Sequence, residues 1–143
     1  RDVAPSRGLG DVYKRQESDY LPHNYTHNCV VYTGTHDNDT VMGWYDTLKG
    51  ADKKLCDDYL RLKNADGEPI PREQLPWEFV RAAMSSVADL AIIPMQDYLG
   101  LGSEARINIP STLGINWKWR MGNGDFTKEL AGRIRSMTKL YGR

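Results

Sequence analysis

The sequence predicts an α/β fold in which short parallel strands alternate with helices. Two apolar runs, at about residues 29–34 and 90–95, have the length and composition of strands, and helix-like periodicity fills the chain between and after them. Strands that alternate with helices are typical of parallel βαβ organisation. Two strands cannot bury both faces of a sheet by themselves. The pattern therefore indicates part of a larger α/β domain whose remaining strands come from elsewhere.

The composition argues against several classes of protein. Nineteen basic residues balance 19 acidic ones, so no basic field indicates nucleic-acid binding. The chain has neither an apolar run of roughly 18 residues nor the apolar region of a signal peptide. We therefore expect a cytoplasmic protein without nucleic-acid or membrane partners, in which Cys29 and Cys56 are free buried thiols. The chain begins at Arg1 rather than Met, which indicates processing or a fragment.

Residues 1–16 are predicted to form an unstructured tail, because Pro5, Gly8 and Gly10 interrupt any regular period. The end of this segment, DVYKRQ, resembles translated sequencing-adaptor sequence. The segment is therefore either a genuine disordered terminus or non-native sequence. Residues 17–143 carry the rest of the prediction.

The first half of that region contains one strand and two helices. A β-branched run at about 29–34 predicts a buried strand, and cap-competent side chains at 37–40 predict a helix that begins near Thr40. Leu55, Tyr59 and Leu62 share one face of a second helix over 51–63. Prolines and Asp66-Gly67 make residues 64–76 a turn-rich connection.

The second half predicts a helix from Trp77 to about Ala88, then a strand at 90–95 that is covered on both faces. A last helix spans about 125–141, with Asp125 as its cap and Gly142 as its stop. The segment between, 96–124, is long, irregular and rich in Gly, Trp and Arg. Structureless segments of that length are usually functional or disordered, and this composition does not indicate disorder.

Two polar clusters follow the two predicted strands, where parallel strands place functional groups. The first contains His36, Asp37 and Asn38. A carboxylate has two acceptor oxygens and can bind the adjacent hydroxyls of a sugar, although helix capping alone would also explain such residues. The second contains Arg106 and Asn108, which on sequence alone are ordinary surface residues.

Aromatic side chains are a third feature that could bind sugar, because aromatic rings stack on the apolar faces of other rings. Core packing explains most of them. Trp117 and Trp119 alternate with Lys118 and Arg120, which predicts that one face of this pair is exposed.

Several of these segments together resemble the 4-α-glucanotransferases, also called amylomaltases or disproportionating enzymes, of glycoside hydrolase family 77. The segments are residues 32–40 (YTGTHDNDT), 21–25 (LPHNY), 93–110 (IPMQDYLGLGSEARINIP) and 116–120 (NWKWR), in the order expected for that family. The resemblance runs from about residue 17 to the end of the chain.

The resemblance implies a partial (β/α)8 TIM barrel, specifically its last two βα units, strands seven and eight. It also implies an enzyme that transfers a segment of an α-1,4-glucan to glucose or another glucan with retention. The substrates would be maltooligosaccharides or glucans derived from starch or glycogen, together with an acceptor sugar. No cofactor and no metal are implied.

The resemblance also assigns site residues. Asp37 maps onto the family's third catalytic carboxylate, which holds the 2- and 3-hydroxyls of the reacting sugar and stabilises the transition state. His36 maps onto the neighbouring hydrogen-bond donor to the same sugar. Asn38, Arg106, Asn108 and Pro110 lie in the matching motifs and are expected to bind substrate.

The sequence departs from the family pattern in one respect. The nucleophilic Asp and the acid/base Glu lie upstream in the family, whereas here only a short segment without a strand pattern precedes residue 17. The chain is therefore expected to be a C-terminal fragment that is inactive alone. The alternatives are an α-amylase-like glucan hydrolase, which shares the His-Asp pair, a non-catalytic carbohydrate-binding fragment, and an incomplete gene product without independent function.

Overall fold

The computed structural model describes residues 6–8 and 21–143. Three strands form a parallel sheet in the order β1 (Ser6–Gly8), β2 (Val30–Tyr32), β3 (Leu90–Ile92). Val31 on β2 pairs with Ala91 on β3. Because the strands are parallel, their carboxyl ends lie at the same edge of the sheet.

The structure differs from the predicted tail at Ser6–Gly8, which pairs with β2 on the side opposite β3. This three-residue strand is defined by pairing with a neighbour and is too short to show an apolar alternation of its own. The remaining residues of segments 1–16 and 17–20 lie outside the described residues.

Five α-helices lie in the described residues: α1 (Val41–Thr47), α2 (Gly50–Tyr59), α3 (Leu75–Met84), α4 (Met95–Tyr98) and α5 (Lys128–Leu140). Single turns of 3-10 helix occur at Pro22–Asn24, Arg72–Gln74 and Ser103–Ala105. None of the described helices has the length and apolar character that a membrane crossing requires.

The helix ends show how local chemistry sets the boundaries. The Thr40 hydroxyl accepts a hydrogen bond from the Gly43 N–H and caps α1, as predicted. The prediction that Asp125 caps the last helix is wrong, because Thr127 accepts from the Leu130 N–H instead. Asp125 is used earlier, where it accepts from the Gly122 N–H in a turn.

Helix α3 is the centre of the packing, because three buried clusters meet on it. Phe79 packs with the apolar side chains of α1, Ala83 packs with Val31 of the sheet, and Val80 packs with Met137 of α5. Burial of one such large side chain contributes about 1.5–3 kcal/mol. The sheet and the helices around α3 are thereby held as one body.

The sheet is covered on one face only by the described residues. Val31 is fully buried, whereas Leu90 and Ile92 remain about half exposed. The prediction that the second strand is covered on both faces is therefore not met within the described residues. Met95, predicted as the end of that strand, instead begins α4 after Pro94.

Gly43 of α1 is buried where the chain after β3 crosses the helix. A Cβ at this position would overlap the Ser103 hydroxyl and would lie 2.6 Å from Asp39 Oδ1. We expect Gly43→Ala to destabilise the chain by about 1–3 kcal/mol, as overpacking does in buried sites. The measurement is urea unfolding of the 143-residue chain, followed by circular dichroism.

Gly132 provides a matched control, because it is also helical but has open space around its Cα. Gly132→Ala should stabilise the chain by about 0.5–1 kcal/mol through helix propensity alone. Equal effects of the two substitutions would show that Gly43 is not needed for this close approach.

Candidate functional site

The candidate site lies at the carboxyl edge of the sheet, where two segments face each other. We call them the β2 loop (residues 33–40) and the β3 loop (residues 93–110, which includes α4). A cavity of about 240 Å³ opens between them, and its lining includes His36, Pro94 and Arg106. The expectation that the two polar clusters share one side of the sheet is thus met.

His36 and Asp37 lie side by side on the β2 loop. Their side chains are each about half exposed, and His36 Nε2 is 3.3 Å from Asp37 Oδ1. The same carboxylate oxygen accepts a hydrogen bond of 2.7 Å from the Asn108 Nδ2 amide. Among the described residues no hydrogen bond reaches Asp37 Oδ2, so this oxygen is open to a ligand.

Arg106 and Asn108 hold the backbone around this pair. The Arg106 guanidinium donates to the Asp37 carbonyl at 2.7 Å and to the Asn108 carbonyl at 2.9 Å. The Asn108 N–H donates to the His36 carbonyl at 3.1 Å. These contacts fix the β2 loop against the β3 loop and set the direction of the Asp37 side chain.

Asn38 and Pro110 occupy different positions. Asn38 Oδ1 accepts from the Thr35 N–H and hydroxyl, so its carboxamide closes the turn that carries His36. Pro110 is exposed at the end of the β3 loop. No hydrogen bond in the described residues joins it to His36 or Asp37.

Asp97 connects the two loops through buried hydrogen bonds. It was not predicted as a site residue. Its carboxylate is 1% exposed and accepts from the Thr33 hydroxyl at 2.5 Å and from the Val41 N–H at 2.9 Å. Burial raises the pKa of the Asp97 carboxyl; the two hydrogen bonds oppose that rise, and the nearby Asp39 adds to it. A polar pair, Gln96-Asp97, directly after an apolar strand was the sequence signal for this role.

Asp39 makes a second link between the loops. Its Oδ2 accepts from the Ser103 hydroxyl at 2.6 Å, and its Oδ1 accepts from the Thr40 N–H at 2.8 Å. Gln96 is also buried and donates to the Ala105 carbonyl. Asp39 therefore ties the β2 loop to the β3 loop, and Gln96 braces the β3 loop internally.

This arrangement suits a neutral, hydroxyl-rich ligand. A half-exposed carboxylate with one oxygen open and an imidazole beside it can accept and donate hydrogen bonds to adjacent hydroxyls. In the described part of the chain, no group of three or more His, Cys, Asp or Glu side chains is placed to hold a metal ion. Cys29 and Cys56 are buried, and they form no disulfide among the described residues.

Comparison with known proteins places this site in a family. The sequence model of the 4-alpha-glucanotransferases matches residues 11–125. The 4-alpha-glucanotransferase of Clostridium butyricum is 50% identical over 125 residues, covering 87% of this chain and 24% of the relative. The chloroplastic/amyloplastic 4-alpha-glucanotransferase of Solanum tuberosum is 47% identical over 130 residues, covering 89% of this chain and 21% of the relative.

A solved structure supports the same assignment. The amylomaltase from Streptococcus agalactiae in complex with acarbose superposes with a TM-score of 0.88 at 30% identity, over 99% of this chain and 28% of that chain. The fold and the loop geometry define an α/β protein with a polar site at the carboxyl edge of its sheet.

The chain belongs to the 4-alpha-glucanotransferase family, glycoside hydrolase family 77. It spans about a quarter of the length of the curated relatives that it matches.

The raised pKa of Asp97 predicts a pH-dependent stability. In the unfolded chain this carboxyl releases its proton near the ordinary aspartate pKa of 3.8, whereas the folded chain keeps the proton to a higher pH. Between the two values the folded state binds more protons, so its stability falls as the pH rises. Asp97→Asn lacks this pH-dependent contribution to the stability, because asparagine does not titrate. The free energy of unfolding of the parent chain minus that of Asp97→Asn should therefore decrease as the pH rises above about 4.

The measurement is urea unfolding of both chains at a series of pH values from 3.5 to 7. Leu113→Ala, at a fully exposed position without a titratable group, is the control and should differ from the parent by the same amount at every pH. A constant difference for Asp97→Asn as well would contradict a desolvated carboxyl at this position.

Proposed function

We propose that this chain supplies the sugar-binding part of a 4-alpha-glucanotransferase site. Asp37 would stabilise the transition state, and His36 would donate a neighbouring hydrogen bond to the same sugar. The observation that supports the proposal is the hydrogen bonding of the Asp37 carboxylate. One of its oxygens is held by Asn108 and His36, and the other is open. A carboxylate oxygen can accept two hydrogen bonds, so Oδ2 alone can accept from two adjacent sugar hydroxyls.

The proposed reaction is transfer of an α-1,4-glucan segment to the hydroxyl of an acceptor sugar with retention. A retaining enzyme uses one carboxylate as nucleophile and a second as acid/base, and passes through an oxocarbenium-like transition state. Asp37 would hold the hydroxyls of the sugar as its ring distorts toward that state. The nucleophile and the acid/base are proposed to come from chain segments outside this sequence, so the chain alone is inactive.

The geometry supports different roles for the other site residues. Arg106 and Asn108 support Asp37 and His36, because Arg106 donates to the Asp37 carbonyl and Asn108 donates to the Asp37 carboxylate and to the His36 carbonyl. Asn38 acts by closing the Thr35 turn, and its free amide Nδ2 is the part that remains for sugar binding. Direct contact of Pro110 with substrate stays a prediction.

We propose that β2 and β3 correspond to strands seven and eight of a (β/α)8 barrel. The parallel order of the sheet and the superposition on the Streptococcus agalactiae amylomaltase support this. The uncovered face of β3, with Leu90 and Ile92, would then point toward the other strands.

The proposed substrates are maltooligosaccharides or glucans derived from starch or glycogen, with glucose or another glucan as acceptor. The solved structure of the similar amylomaltase contains acarbose, which supports a carbohydrate ligand. The cytoplasmic location that the sequence predicts is part of the same proposal. An α-amylase-like hydrolase shares the His-Asp pair, but the family match favours the transferase.

Asp37→Asn in the full-length protein that carries this sequence should lower kcat by about three or more powers of ten, with little change in thermal stability. The lost interaction is made mainly in the transition state, so turnover falls more than substrate binding does. The measurement is the redistribution of maltotriose into shorter and longer glucans, followed by chromatography.

Two controls accompany this test. Asp66→Asn, on an exposed turn, should leave kcat unchanged. The 143-residue chain alone should leave maltotriose unaltered. Near-normal turnover of Asp37→Asn would reduce Asp37 to a loop residue without a part in catalysis.

A further inference from the structure

Trp117 differs from the other tryptophans in its exposure. Its side chain is 57% exposed, whereas Trp77 is 5% exposed and lies in the core. Indole is the largest apolar side chain, and most of its surface is usually buried in a folded domain. An indole left in solvent beside a polar site therefore calls for a specific explanation.

The backbone holds Trp117 in an unusual conformation. Its φ is +64°, in the left-handed region that residues with a Cβ rarely adopt. The Trp117 N–H donates to the Ile107 carbonyl at 2.7 Å, which closes the segment from 107 to 117 into a loop. Asn116 braces this loop by accepting from the Ile109 N–H and donating to the Thr112 carbonyl. The conformation is thus fixed by several independent hydrogen bonds.

This loop places the indole directly beside the candidate site. The ring centroids of Trp117 and His36 are 5.1 Å apart, and the rings are tilted by 35°. The base of the loop, residues 106–108, is the same segment that holds Asp37. The exposed part of the indole therefore continues the surface that His36 and Asp37 begin.

We propose that Trp117 is a stacking platform for a second glucose ring of the glucan chain, next to the ring held by His36 and Asp37. This inference rests on the proposed function. The C–H face of a glucopyranose is apolar and matches the face of an indole, while its hydroxyls stay in water. Residues in sparsely populated backbone regions cluster at ligand sites, and the contact with His36 places Trp117 at such a site.

Trp119 does not fit this role. It is only partly exposed, and its carbonyl accepts from Arg120 Nη1 at 2.8 Å within its own turn. Leu113 is fully exposed on the same loop but has no aromatic face and is not placed against His36. The platform is therefore assigned to Trp117 alone.

The test compares donors of different length, from maltotriose to maltoheptaose, in the full-length protein. Trp117→Ala should raise KM for maltoheptaose roughly tenfold, the usual scale for loss of one ring-on-aromatic stack, while kcat at saturation changes little. Trp117→Phe should restore most of the affinity, because a smaller aromatic face remains. Leu113→Ala is the matched control and should leave every KM unchanged.

Each other outcome overturns the inference in a distinguishable way. A uniform fall of kcat at all donor lengths would make Trp117 a positioning residue for His36. An unchanged KM for Trp117→Ala would make the indole structural. If Trp117→Ala does not fold, Trp117→Leu replaces it, since leucine keeps apolar bulk without an aromatic face, and an unchanged KM for that variant has the same meaning. If the parent protein neither binds nor converts maltoheptaose, the proposed function itself fails.

Discussion

The buried carboxylate of Asp97 is the interaction on which the site depends. It comes from the segment after β3, accepts from the Thr33 hydroxyl at the end of β2 and accepts from the Val41 N–H at the start of α1. A buried carboxylate is costly unless its oxygens are satisfied, so this arrangement allows few alternatives. One side chain thereby fixes the relative positions of both strand ends and of the helix that follows the first.

The other links of the site build on that connection. Asp39 and Ser103 join the same two loops, and the absence of a side chain at Gly43 lets them approach α1. Arg106 and Asn108 then hold the part of the β2 loop that carries Asp37. Arg106 donates to the Asp37 carbonyl, and Asn108 donates to Asp37 Oδ1. Side chains that are held by such hydrogen bonds lose less conformational entropy when a ligand binds.

Much of the fold could be predicted from local pattern, because apolar periodicity and cap chemistry act over a few residues. The strand before His36, the helix after Thr40 and the left-handed stop at Gly142 follow such rules. The strand at Ser6–Gly8 could not be predicted, since pairing with β2 defines it. The His36–Asp37 cluster was visible as consecutive polar residues, whereas Asp97 and Trp117 owe their roles to contacts with residues far along the chain.

We propose that Asn108 supports the proposed transfer reaction by holding the Asp37 carboxylate. A double-mutant cycle on kcat in the full-length protein tests it most directly, with Asn108→Ala, Asp37→Ala and the double variant. Asn108→Ala should lower kcat by about ten- to a hundredfold in the parent, the range seen when supporting hydrogen bonds are lost. It should have almost no effect once Asp37 is alanine, because the contact that it removes is then already absent. The same loss from Asn108→Ala in both backgrounds would show that Asn108 acts independently of Asp37 and would contradict the account.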